Sequence, residues 1–204
     1  MVERKVAATA ILLGLGLLVA ASMIARDLKV GDLGRGIPEL RPEARYNRDA
    51  EFITSNFSLG VDVLGVIVEP QNMREPCLEY SMVDHLDRFE FAMRQVTGVE
   101  SVRGLGGAVR ALNVINNEEN IKWNGIPETR AQLGQYITDA NAKDKDLALF
   151  GCRTAQVLLY LKDHQATTLA HVVTEVKRYR DNFTDDSIRF RLATGSSSWP
   201  CSAP

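Results

Sequence analysis

Long apolar runs and two amphipathic stripes organise the chain. The first run, Val6 to Ala25 (VAATAILLGLGLLVAASMIA), carries no charge. At about 1.5 Å rise per residue a helix of that length covers the roughly 30 Å hydrocarbon core of a bilayer. Residues 6–25 are therefore expected to form a single transmembrane helix behind a short flank, residues 1–5. Gly14 and Gly16 would weaken a helix in water, but lipid offers the backbone no other hydrogen-bond partner, so the helix survives there. A cleaved secretory signal competes with this reading, because Glu3, Arg4 and Lys5 precede the run and Ala20, Ala21 and Ser22 lie near its end. The run is longer than a usual signal core and has no sharp small-x-small site, which favours a retained helix. Arg4 and Lys5 flank one end while Arg26, Lys29 and Arg35 flank the other, so charge does not fix the orientation.

Residues 26–60 read as a linker followed by a short helix. Pro38 and Pro42 interrupt regular structure, and Phe52, Ile53 and Phe57 then recur at helical spacing. Beyond the linker, Val61–Val68 (VDVLGVIV) and Gln156–Leu161 (QVLLYL) are β-rich and nearly continuous in apolar residues, as for strands buried on both faces. Ile188, Phe190 and Leu192 alternate with Arg189 and Arg191, which is the pattern of an edge strand with one solvated side. Val99–Leu105 is a weaker strand. Two stripes fall between the strands: Met82, Leu86, Phe89, Met93 and Val96, and then Leu169, Val172, Val173, Val176 and Tyr179. The order strand, helix, strand, insertion, strand, helix, strand predicts an α+β domain over residues 61–195, a ferredoxin-like split β-α-β fold with its first and third strands central. The insertion, residues 106–150, is expected to pack as a helical hairpin or lid, and residues 196–204 to form a disordered tail.

Charge and candidate chemistry narrow the function classes. A net charge of -2 with no basic run argues against nucleic acid as a partner. Gly104-Leu105-Gly106-Gly107 stands between a strand and a helix but lacks the spacing of a dinucleotide fingerprint and the Lys-Ser/Thr of a P-loop, so it reads as a flexible turn. His85, His164 and His171 are too scattered to ligate a metal, and Ser196–Ser198 lack a nucleophile elbow, so no cofactor and no enzymatic role is expected. Cys77, Cys152 and Cys201 fit no zinc pattern. On residues alone Cys77 and Cys152 remain either an exported disulfide or two inert thiols.

From about residue 26 to 195 the chain resembles the periplasmic part of a bacterial resistance-nodulation-division superfamily transporter, in its MMPL-like predicted-exporter branch. The words carrying the resemblance are LKVGDLGRGIPELRPEARYNRDAEFI, FSLGVDVLGVIVE, REPCLEYSMVDHLDRFEFAMRQVTGVESVRGL, NEENIKWNGIP, VLLYLKDHQATTLAHVVTEVK and FRLATG, in that order. The resemblance implies a porter region built from ferredoxin-like subdomains in the periplasm, a bacterial inner-membrane location, a Cys77–Cys152 disulfide, and as partners the lipid bilayer with other parts of a transporter or a second copy. Full transporters of this kind carry about a dozen membrane helices and their proton-relay acids lie within that bundle. One helix and the departing tail SSSWPCSAP imply a truncated product that contributes a porter subdomain to a proton-driven exporter and does not pump alone. The alternative expectation is an autonomous membrane-tethered binding or assembly module.

Overall fold

A computed structural model of the chain describes residues 4–26, 41, 43–57, 60, 62–145, 147–149, 153–163, 165–183 and 187–193. The linker around residues 27–40 and the tail 196–204 lie outside the described residues. The chain divides into two compact units, Met1–Asp32 and Leu33–Pro204.

The described residues of the first unit form one helix, α1 (Arg4–Arg26). Its described side chains are exposed, Ile11, Leu12, Leu13, Leu15, Leu17, Leu18, Val19 and Met23 among them. Successive residues turn by about 100°, so these positions cover every side of the helix. Among the described residues no helix is long and apolar enough to cross a membrane.

The second unit opens with α2 (Arg45–Asn56), the short helix expected after the linker. Then follow β1 (Asp62–Pro70), α3 (Tyr80–Arg94), β2 (Val99–Arg103), α4 (Leu105–Ile115), α5 (Arg130–Lys143), β3 (Ala148–Leu149), β4 (Thr154–Leu161), α6 (Ala166–Asn182) and β5 (Ile188–Leu192). The sheet order is β2-β4-β1-β5, with every neighbouring pair antiparallel and β3 paired to the start of β4. β4 thus lies between β1 and β2, so that those two run parallel although consecutive along the sheet-forming chain. The two apolar runs are the central strands and the alternating strand is an edge, as their patterns predict. The reason is physical: a central strand loses water on both edges and is built from β-branched and large apolar residues.

The expectation that β1 and β4 are buried on both faces is corrected. Leu64, Val66 and Val68 of β1 and Ala155, Val157, Leu159 and Leu161 of β4 are buried on one face. Their alternates are open: Val63 is 48% exposed, and Ile67, Leu158 and Tyr160 are half-buried. The described helices cover a single face. There α3 and α6 bring Phe89 and Tyr179 against Phe190 of β5, with ring centroids 5.0 and 5.7 Å from it, in the tilted and edge-on geometries that aromatic quadrupoles favour.

The insertion, expected as a helical hairpin or lid, carries two helices, α4 and α5, that pack into the core. Leu105, Val109 and Leu112 of α4 and Leu133, Tyr136, Ile137 and Ala140 of α5 are buried members of the core. Asn113 of α4 ties down the connection to α5: its side-chain amide donates to the carbonyls of Trp123 and Gly125 at 2.9 and 3.0 Å. That pins the loop, including the 3-10 turn Ile121–Trp123, so the Asn-rich composition of this stretch serves internal hydrogen bonding.

Candidate functional site

The one fully buried charged side chain among the described residues is Glu90, at 0% exposure. It lies four residues after Leu86 and three before Met93, which puts it on the apolar face of α3. Its two carboxylate oxygens accept backbone N–H bonds across the helix pair: Oε1 from Gly106 and Oε2 from Gly107, both at 2.8 Å. These are amides of the first turn of α4, where donors have no partner within the helix and the dipole favours an anion. The glycine-rich turn is therefore the receptor for an internal carboxylate. A side chain at Gly104 would place its Cβ 2.3 Å from Glu90 Oε1, and one at Gly106 would meet the backbone of Asp87 at 2.6 Å. The absence of Cβ atoms lets α4 start directly against α3.

Burial pushes the Glu90 carboxyl up to about 7, far above its ordinary 4.5. The amides of Gly107 and Gly106 pull the other way, Asp87 adds to the rise, and Arg94 opposes it. Arg94 stands 3.6 Å from Glu90 Oε2, and Arg110 of α4 stands 3.4 Å from Asp87 Oδ2. Asp87 Oδ1 is buried without a hydrogen-bond partner among the described residues.

A cavity of about 370 Å³ opens beside this cluster, between β2, α4 and the end of α5. Arg94, Arg103, Arg110 and Lys143 line it, and Asp144 is the one carboxylate in that lining. Arg103 and Asp144 form an ion pair at 2.5 Å. The remaining wall is largely apolar, with Val102, Leu112, Ile115 and Leu147. Chemically the site offers guanidinium donors above an apolar floor, next to a carboxyl that titrates near neutrality.

Of the residues singled out in the sequence, Cys77 is buried in the 3-10 turn Pro76–Leu78 and is disulfide-bonded. Its partner lies outside the described residues, as do Cys152 and Cys201. His85 packs edge-on against Phe183 at 5.0 Å, His171 is exposed on α6, and His164 lies outside the described residues. The structure therefore does not bring the described histidines together, and among the described residues no group of His, Cys, Asp and Glu could hold a metal ion. Glu90 escaped the sequence reading. The available signals were an acid at a buried helical position and an anion-ready glycine turn with no phosphate motif. Set against protein-family models, curated proteins and solved structures, the chain matches none of them.

Proposed function

We propose that this chain contributes a periplasmic porter subdomain to a proton-driven exporter of the resistance-nodulation-division type, held at the inner membrane by α1, and that it does not transport alone. The observation that carries the reading is α1 itself. A helix apolar on every described side has no stable place in water, where exposing each Leu or Ile forfeits about 2 kcal/mol of burial. Such a helix belongs in a core or in lipid. The full run Val6–Ala25 is uncharged, and the sequence sets Arg4 and Lys5 before it and Arg26 after it. Two further features support the reading. The strand order 2-3-1-4 of the four long strands, antiparallel throughout, is that of a ferredoxin-like unit. The disulfide at Cys77 fits an oxidising compartment, and we assign its partner as Cys152 on the resemblance described above. The open sheet face is the wall such a subdomain would lend to a passage, since no described helix covers it.

The test uses the full chain in a bacterial host. Alkaline carbonate extraction of membranes should leave it in the pellet, and a membrane-impermeant maleimide should label Val63→Cys in intact cells. Release into the soluble fraction would remove the anchor, and labelling only after lysis would place the domain on the other side. Proton-dependent export by cells given only this chain would refute the passive role.

A further inference from the structure

We propose that the cavity between β2, α4 and α5 binds a small organic anion, an acidic head group on an apolar body, and that it takes up a proton at Glu90 as it does so. This inference is independent of the membrane reading. Four cations against one carboxylate give the lining a positive excess. Two of those cations are loosely engaged: Arg94 and Arg110 stand 3.6 and 3.4 Å from their carboxylates, beyond the roughly 2.7–2.9 Å of a tight charge-assisted bond. A guanidinium has five donors, so each retains donors for a ligand. The apolar share of the wall, Val102, Leu112, Ile115 and Leu147, asks for a ligand body rather than a bare ion. The volume of about 370 Å³ lies at the small end of ligand sites, which run from roughly 300 to 1,000 Å³.

The proton follows from geometry. Arg94 is shared between Glu90 and the cavity. An anion that draws Arg94 outward removes the positive charge beside Glu90 and adds a negative one, and both changes favour the neutral carboxylic acid. The other groups facing the cluster are Asp87 on α3, Arg110 on α4 and, across the cavity, Arg103 on β2 and Lys143 and Asp144 at the end of α5. Asp87 works in the same direction as the ligand, because its charge also disfavours ionised Glu90. Burial has already brought that carboxyl close to neutrality, so the linked proton is exchanged in an ordinary working range.

The experiment is a calorimetric titration of the full chain in detergent micelles with benzoate, which stays ionised between about pH 6 and pH 8. Benzoate should bind saturably, about tenfold more tightly than acetate, and about tenfold more tightly at the lower pH. Heats measured in buffers of different ionisation enthalpy should show protons taken up on binding. Glu90→Gln should bind equally at both pH values. Arg103→Gln and Lys143→Gln should each weaken binding several-fold, and Ala111→Phe, which adds a ring to the cavity wall without removing a charge, should abolish it. Unsaturable binding, equal affinity for acetate and benzoate, or wild-type affinity in Ala111→Phe would overturn the site. Saturable binding with no proton uptake would overturn the linkage. Any variant whose thermal transition is lost is replaced by Ala108→Leu, which narrows the same cavity and is read against the same outcomes.

Discussion

The two faces of the sheet are built from the same strands and have different fates. On the helix side, Val66, Val68, Val157 and Leu159 are fully buried beneath α3 and α6. On the other side, Val63 and Ile67, one residue away along the same strand, remain open or half-buried beside Leu158 and Tyr160. The residue types are nearly interchangeable. The difference lies in whether a described helix of this chain sits above them, and an apolar strand does not record that. The helix side is also where the protein hides its buried carboxylate, so the covered layer is both the stability core and the place where burial raises the pKa of Glu90.

That asymmetry can be broken most strongly at Phe89, which touches Tyr179 and Phe190 under the helices. Phe89→Ala should cost about 4 kcal/mol, read as a fall in the urea midpoint with an unchanged slope. A loss under 1 kcal/mol would mean that this layer is not packed as described.

The second effect is one of pH. The folded Glu90 holds its proton more tightly than an exposed carboxyl, about 7 against 4.5. Its stabilising contribution is therefore fully present below pH 4.5 and is lost as pH rises through about 7, which amounts to roughly 3 kcal/mol at 1.36 kcal/mol per unit. This is opposite in sign to ordinary acid denaturation. Glu90→Gln should flatten the stability profile across that window, as measured by denaturant titrations at several pH values. A wild-type profile already flat there would show that the two glycine amides outweigh burial.

Much of this arrangement was legible in the sequence. The strands were visible because β-rich runs bounded by turns leave few alternatives, and α3 and α6 because Met82 to Val96 and Leu169 to Tyr179 keep a helical period. Edge and centre were legible from alternation. Coverage was not, since VDVLGVIV has the same look whether one face or both are closed. The insertion, expected as a helical hairpin or lid, carries the helices α4 and α5; its polar NVINNEEN stretch gives no sign that Asn113 and Asn117 donate their amides to local carbonyls while Leu133 and Tyr136 reach the core. Glu90 was hidden because its partners, Gly106 and Gly107, lie 16 and 17 residues away and meet it only through the α3–α4 approach. Helical periodicity marks the face on which an acid lies, and it is blind to the amides waiting on the neighbouring helix.

A matched pair of substitutions sharpens the comparison of faces, because Val and Thr have nearly the same shape and differ by a hydroxyl. Val66 is fully buried in the core, so Val66→Thr takes a hydroxyl out of water, at a cost of about 2 kcal/mol.

The same change at Val63, three positions earlier on the opposite face, should shift stability by no more than about 0.5 kcal/mol, since the hydroxyl keeps its water and Thr retains the β-branch that suits a strand. The smallness of this effect is the informative part. Val63 pairs with Tyr160 across β1 and β4, and the residue is apolar although nothing in the described fold requires it to be. If Val63→Thr is silent in denaturant titrations of the isolated chain, the apolar character of that face is not maintained by folding, and its use lies in contact with something outside this domain. If Val63→Thr instead costs as much as Val66→Thr, the open face is already closed within this chain, and the contrast between the two faces disappears together with the passage wall proposed for it.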